Sequence, residues 1–402
     1  MSDISDILII GGGVIGSAIA YFLTRDATHP IRVTVIERDP SYASASSSLS
    51  ASAIRQQFTA PENIALSQYG IGFIRDTIRH LSVENYPADI GFLERGYLYL
   101  GGEKDVPAFQ SRANTLRDCG YQVELLDTKA LKARAPWMNT EDVSIASFGP
   151  YDEGWFDGPA LHQAFRRKAR VQGVEYITGE VLGFTREGSD KITSVRLRDG
   201  RSFQAGRFVV AAGAWTGALM RNAGVEVPIV PRKRCIFVFD SPEKIADCPF
   251  VIDQSGSWFR PEGHLYICGT TPDFENAPDD YSLDVDYAIF DERIWPKLAH
   301  RIPGFEQLRL LRAWAGLYEY NLFDQCPVIG PVSENENLFI VAGFSGHGMM
   351  HAPATGLAVS EMLLHGKTFS INVSAFNFDR IQALRPIPER VYYWKQNEFA
   401  AE

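Results

Sequence analysis

The 402-residue sequence predicts an α/β chain. One domain is built on a parallel sheet from discontinuous segments, and an α+β domain with an antiparallel sheet is inserted between them. Three observations lead there. Short continuous apolar runs recur near residues 10, 37, 213 and 343, as strands buried on both faces of a parallel sheet do. The first run leads through a glycine-rich turn into a helical pattern. The stretches between the runs read as antiparallel strands separated by loops.

In chain order, Asp6 to Ile10 is the first buried strand, and GGGVIGSAIAYFLTRD after it turns helical at about Val14. Ile31 to Asp39 is the second strand, which completes a βαβ unit. SYASASSSLSASAIRQQF follows. By composition it is a flexible linker; by position, just past the second strand and ending in Arg55, it is a ligand-facing loop, and both readings stand. Between Gly91 and Pro136 the character changes, with GFLERGYLYLGGE reading as a hairpin. Pro159 to Gln172 is helical. Three short strands come next, with Asp199-Gly200 as a two-residue turn that needs positive φ at both positions. Phe208 to Trp215 is a third buried strand. PIVPRKRCIFVFDS, SWFRPEGHLYICGTTP and RLLRAWAGLYEYNLFD form an antiparallel sheet. LFIVAGF is a fourth buried strand, before a helix from Ala352 to His365 with Pro353 in its first turn and Gly366 past its end. The expected division is residues 1–85, 145–220 and 325–375 for the nucleotide domain, 86–144 and 221–324 for the inserted substrate domain, and 376–402 for a C-terminal tail.

Hydrophobic residues make up 45% of the chain, enough for a large core. Net charge is −10 with no basic block, which argues against nucleic acid as a partner. Five scattered cysteines without a Cys-x-x-Cys pair argue against a disulfide framework and a metal site. The N-terminus carries Asp3 and Asp6 and no cationic region, and its apolar run is short. A cytoplasmic chain without a transmembrane segment is expected.

Gly11-x-Gly13-x-x-Gly16 is a dinucleotide fingerprint. Gly11 permits the tight turn and Gly13 the approach of backbone to a pyrophosphate. Gly16 permits helix–strand packing, and Val14 and Ile15 open the helix whose free N–H groups face phosphate. Glu37 ends the next strand, about 20 residues on, where a carboxylate accepts from a ribose 2′-OH; Arg38 follows it.

With VVAAGAW, WAGLYEYNLFDQCPVIGP and FIVAGFSGHGMMHAPATG added to that fingerprint, the chain resembles the D-amino-acid-oxidase-type flavoproteins, which include sarcosine oxidase, glycine oxidase and D-amino-acid dehydrogenase. The resemblance spans almost the whole length. It implies a glutathione-reductase-like FAD-binding Rossmann domain beside a substrate domain. It also implies oxidation of an amino-acid C–N bond by hydride transfer to flavin N5, with the imine then hydrolysed. FAD contacts follow from it: Ser46, Ser47, Ser52 and Ala53 along the flavin, and Val181 at the adenine end. Ala212, Gly213 and Trp215 lie against the cofactor, and Gly343, Gly346, His347, Gly348 and Met349 form a second helix start at the ring. Arg55 falls where family members bind the substrate carboxylate, Tyr318 falls where some carry an arginine, and Arg260 is a second anchor. His347 is a candidate acid–base group, and His351 a candidate substrate contact. Gly316 stands where covalent members have cysteine, so FAD is expected to be non-covalent. His264 to Gly269 lacks the oxygen-activating lysine and Met350 replaces a substrate-binding one, which points to a dehydrogenase. The substrate expected is an amino acid or N-alkyl amino acid. An oligomer or an electron-accepting partner subunit is also expected. The alternatives are an FAD-containing assembly or scaffold protein with little turnover, and the FAD subunit of a multi-subunit amine dehydrogenase.

Overall fold

The computed structural model describes residues 4–187, 191–271, 279–333 and 335–389; the end of the expected tail, 390–402, lies outside the described residues. Two large sheets organise the molecule. In the first, the strand order is Val328–Val332, Asn335–Ala342, Ser202–Val210, Ser5–Ile10, Val33–Glu37 and Glu175–Thr178. The last five are mutually parallel, and Val328–Val332 is antiparallel to its neighbour. The apolar runs read as buried on both faces are so: Leu8, Ile9, Phe208, Val209, Val210 and Ile340 are all fully buried. On one face, helices Val14–Asp26 and Gly348–His365 pack together closely. Gly356 makes this approach possible, since a Cβ there would lie 2.9 Å from the Ala18 side chain and backbone.

The second sheet runs Arg309–Asn321, Ile229–Asp240, Leu265–Thr270, Ser257–Glu262, Phe250–Ile252, Tyr97–Gly101, Ile145–Gly149 and Glu124–Leu126. It is antiparallel except where Phe250–Ile252 meets Tyr97–Gly101. Its outer face buries Phe237, Phe239, Phe259 and Phe305 in a separate core. Its inner face closes over the first sheet's glycine turns.

Several local expectations change. GFLERGYLYLGGE is not a hairpin: Tyr97–Gly101 pairs with Ile145–Gly149 and Phe250–Ile252, both distant in sequence. Because Ile145–Gly149 belongs to the second sheet, a division by sheets falls after residue 149 and not at 145. Among the described residues of 175–210 there are four strands, not three, the additional one being Glu175–Thr178 or its neighbour Val181–Glu187. At Asp199-Gly200 only Gly200 has positive φ (+89°), and its N–H bonds to the Leu197 carbonyl. That is a three-residue turn closed by a left-handed glycine. The helix after the fourth buried strand begins at Gly348, a turn earlier than Ala352, so Pro353 lies inside it.

Candidate active site

A cavity of about 480 Å³ lies between the inner face of the second sheet and the strand ends of the first. At one end the glycine fingerprint performs three distinct tasks. Gly11 has φ +100°, and a Cβ on it would come within 2.3 Å of the Ala211 carbonyl oxygen. Gly16 packs so tightly that a Cβ would lie 2.0 Å from the Gly11 carbonyl oxygen. Gly13 differs, because a Cβ there would meet only Ser47 Oγ, at 3.3 Å, so its missing side chain clears cavity space. The turn is tightly held. Glu37 accepts from the N–H groups of Gly12 (2.8 Å) and Asp39 (2.9 Å). Ser47 Oγ accepts from Val14 N–H, and the Gly12 carbonyl accepts from Ser17 Oγ and His162 Nε2. Burial keeps His162 neutral, with its pKa lowered to about 4. Arg38, at the same end, lies with its guanidinium carbon 3.5 Å from the centroid of the Trp215 ring.

At the other end the turn Gly343–His347 opens the helix Gly348–His365 toward the cavity. Ser345 is held at φ +51° and its hydroxyl accepts from Asn321 N–H. Arg55, only 8% exposed, reaches this turn. Its Nη2 lies 3.0 Å from His347 Nε2, its Nη1 donates to the Gln57 carbonyl, and its guanidinium covers the Phe58 ring at 3.8 Å. Beneath Gln57 sits Glu153, fully buried, which accepts from the Gln56 and Gln57 N–H groups and from the Gln57 side chain. Burial raises its pKa to about 7, against those hydrogen bonds. Burial likewise drives the His347 pKa well below its ordinary value, with Arg55 and His351 adding to the effect.

Most sequence-predicted residues converge on this cavity. Gly11, Gly13, Val14, Ile15, Glu37, Arg38, Ser46, Ser47, Ser52, Ala53, Arg55, Val181, Ala212, Gly213, Trp215, Tyr318, Gly346, His347, Gly348 and Met349 line it. Four do not line it. Gly16 acts through packing, and Gly343 (φ +83°) packs on Ile229 and Asn321. His351 turns away to Ser67 Oγ at 3.2 Å, and burial lowers its pKa to about 3. Arg260 is spent structurally: it donates to the Ala51 carbonyl at 2.8 Å and pairs with Glu262. The second sheet adds residues that the sequence reading missed. Tyr97, Tyr99, Phe250, Trp258, Arg234 and Glu319 all line the cavity. Arg234 lies 4.5 Å from the Tyr318 ring centroid. Glu319 is raised to about 7 because desolvation outweighs the N–H groups of Gly343 and Phe344 that it accepts.

The cavity fits FAD on its own evidence. It offers a cleared Gly13, a carboxylate at Glu37 for a ribose, and two helix starts along its length, at Val14 and Gly348. A family model described as "DAO: FAD dependent oxidoreductase" matches residues 6–362. The chain is 40% identical to FAD-dependent oxidoreductase domain-containing protein 1 of Xenopus laevis, over 96% of this chain and 84% of that one. It is 25% identical to glycine oxidase of Geobacillus kaustophilus, over 93% of this chain and 97% of that one. The crystal structure of L-proline dehydrogenase from P. horikoshii superposes with a TM-score of 0.84 at 27% identity, covering 95% of this chain and 99% of that one.

Proposed function

The chain belongs to the DAO family of FAD-dependent oxidoreductases, and on that premise we propose that it oxidises the C–N bond of a primary or secondary α-amino acid. The product is an imine, which water hydrolyses. FAD, held non-covalently, supplies the two-electron acceptor for this chemistry.

The observation that carries the reading is the Arg55 fork. It is a buried guanidinium lining the cavity beside the second helix start, and among the described residues it forms no ion pair with a carboxylate. A buried cation of this kind is costly unless something anionic meets it. A substrate carboxylate does so in a bidentate geometry and fixes the α-carbon. His347 and the Gln57 carbonyl hold the fork from behind, and Glu153 braces Gln57. The aromatic roof of Tyr97, Tyr99, Phe250 and Trp258 excludes water.

The deciding experiment is anaerobic titration of the holoenzyme with primary and N-alkyl amino acids, followed by flavin absorbance. Bleaching by at least one of them supports the reading. If dithionite bleaches the flavin and no amino acid does, the reading fails. The described lining residues include arginine and histidine but no lysine. Dehydrogenase behaviour is therefore part of the proposal: turnover in argon with an artificial acceptor should exceed turnover in air. No described helix is long and apolar enough to cross a membrane. A cytoplasmic setting belongs to the same proposal; the similar human sarcosine dehydrogenase is designated mitochondrial.

A further inference from the structure

The roof of the cavity is an ordered row of rings. Arg55 lies 5.9 Å from the centroid of Tyr99. Tyr99 stacks on Tyr97 at 6.2 Å, Tyr97 on Phe250 at 4.4 Å, and Phe250 on Trp258 at 5.1 Å. The four rings come from three adjacent strands of the second sheet, Tyr97–Gly101, Phe250–Ile252 and Ser257–Glu262, and all of them line the cavity. Tyr97, Tyr99 and Phe250 belong to one buried cluster with Trp155 and Phe109, which fixes their positions. The row therefore begins at the carboxylate anchor and leads away from it as an apolar surface.

Apart from Arg234, which lies against the Tyr318 ring and not on the row, charge on this wall is sparse. Among the described lining residues of the second sheet, Glu319 is the single carboxyl. It sits beside Gly213 and Gly348 and away from the row, 4.0 Å from where a Gly213 Cβ would stand. The remaining lining acids, Glu37, Asp39 and Glu180, belong to the first sheet's strand ends at the opposite end of the cavity.

We propose that the substrate is an α-amino acid with an apolar side chain of several carbons, its carboxylate on Arg55 and its side chain along the Tyr99–Tyr97–Phe250–Trp258 row. This rests on the amino-acid-oxidising reading above and narrows it. A row of rings gains nothing from glycine or sarcosine, which have no side chain to lay on it. It also offers no opposite charge to a lysine-like ammonium.

The test is anaerobic titration of the holoenzyme with five probes: sarcosine, N-methylleucine, N-methylphenylalanine, N-methylglutamate and N-methyllysine. The leucine and phenylalanine derivatives should half-reduce the flavin at concentrations at least about tenfold below sarcosine, the scale on which apolar pockets discriminate. Phe250→Ala should shrink that advantage toward onefold while FAD content stays at the wild-type level. Phe250→Leu keeps an apolar side chain and guards against misfolding; it should retain most of the preference. Equal or better reduction by sarcosine, or a best response to the glutamate or lysine derivative, overturns the apolar assignment and leaves the amino-acid reading standing. A preference that survives intact in well-folded Phe250→Ala overturns the row's part in it. Failure of every probe and of the unmethylated parents glycine, leucine, phenylalanine, glutamate and lysine, beside successful dithionite reduction, defeats the underlying reading itself.

Discussion

Arg55 Nη2 lies 3.0 Å from His347 Nε2, and this contact fixes the protonation of the imidazole. A guanidinium only donates, so Nε2 must accept and the ring proton must sit on Nδ1. Burial holds the imidazole neutral as well. On the proposed reading, Nε2 is engaged by Arg55 and His347 orients the fork in place of an acid–base role.

His347→Ala should therefore raise the half-saturating amino-acid concentration by about tenfold or more, the value of a lost hydrogen bond to a charged group. The limiting rate of flavin reduction should change much less. His347→Gln keeps an acceptor and should recover part of the loss. If the limiting rate collapses while half-saturation holds, His347 is chemical and not positional. Stopped-flow anaerobic reduction separates the two.

The glycine fingerprint predicts two different failures. Gly16→Ala places a methyl 2.0 Å from the Gly11 carbonyl oxygen, so it should cost about 1–3 kcal/mol of fold stability. Gly13→Ala meets only Ser47 Oγ at 3.3 Å, so the apoprotein should stay close to wild-type stability while FAD binding weakens sharply. Denaturant midpoints of the apoproteins and FAD titration by fluorescence quenching distinguish them. Equal effects of both on the apoprotein would mean that Gly13 serves packing and not the cofactor.

Arg260 in WFRPEG has the position of a second carboxylate anchor, yet its Nη1 goes to Glu262 and the Pro261 carbonyl and its Nη2 to the Ala51 carbonyl, with only the buried Nε unengaged among the described residues. Arg260→Ala should destabilise the fold by about 1–3 kcal/mol, through the unsatisfied Ala51 carbonyl and the lost packing on Trp155. Half-saturation by amino acid should shift less than about threefold, well short of the tenfold worth of a charged hydrogen bond. A shift of about tenfold or more would restore Arg260 to the substrate site.

What the sequence disclosed was local. Gly11, Gly13, Gly16 and Glu37 lie within one βαβ unit, where spacing alone determines their geometry. Arg55 was found through its loop. The aromatic row was not found, because strand alternation shows that Tyr97 and Tyr99 share a face but not which layer that face covers. Only the pairing of Tyr97–Gly101 with Phe250–Ile252, some 150 residues later, aligns the rings. His351 follows the same logic: it lies four residues past His347 on one helix, yet the helix's packing turns it to Ser67. Glu319 carried one available signal, a lone acid in the apolar strand RLLRAWAGLYEYN.

The buried histidines and carboxyls predict opposing pH dependences. His162 has its pKa lowered to about 4 in the fold, against 6.5 in the unfolded chain. The unfolded state then binds a proton that the native state refuses, so stability is full above 6.5 and is lost as pH falls through that window. At about 1.4 kcal/mol per pH unit, His162 alone withdraws roughly 2 kcal/mol by pH 5. Glu153 works the other way. Its pKa is raised to about 7, so stability is full below 4.5 and is lost as pH rises toward 7. The wild-type curve partly conceals both, and single variants separate them. His162→Gln keeps a donor for the Gly12 carbonyl, so relative to wild type it should gain about 2 kcal/mol between pH 8 and pH 5. Glu153→Gln should instead gain relative to wild type as pH rises from 5 to 8. Urea midpoints of the three proteins at both pH values measure this. If His162→Gln runs parallel to wild type across that range, the imidazole does not titrate with folding and the buried-neutral assignment is wrong.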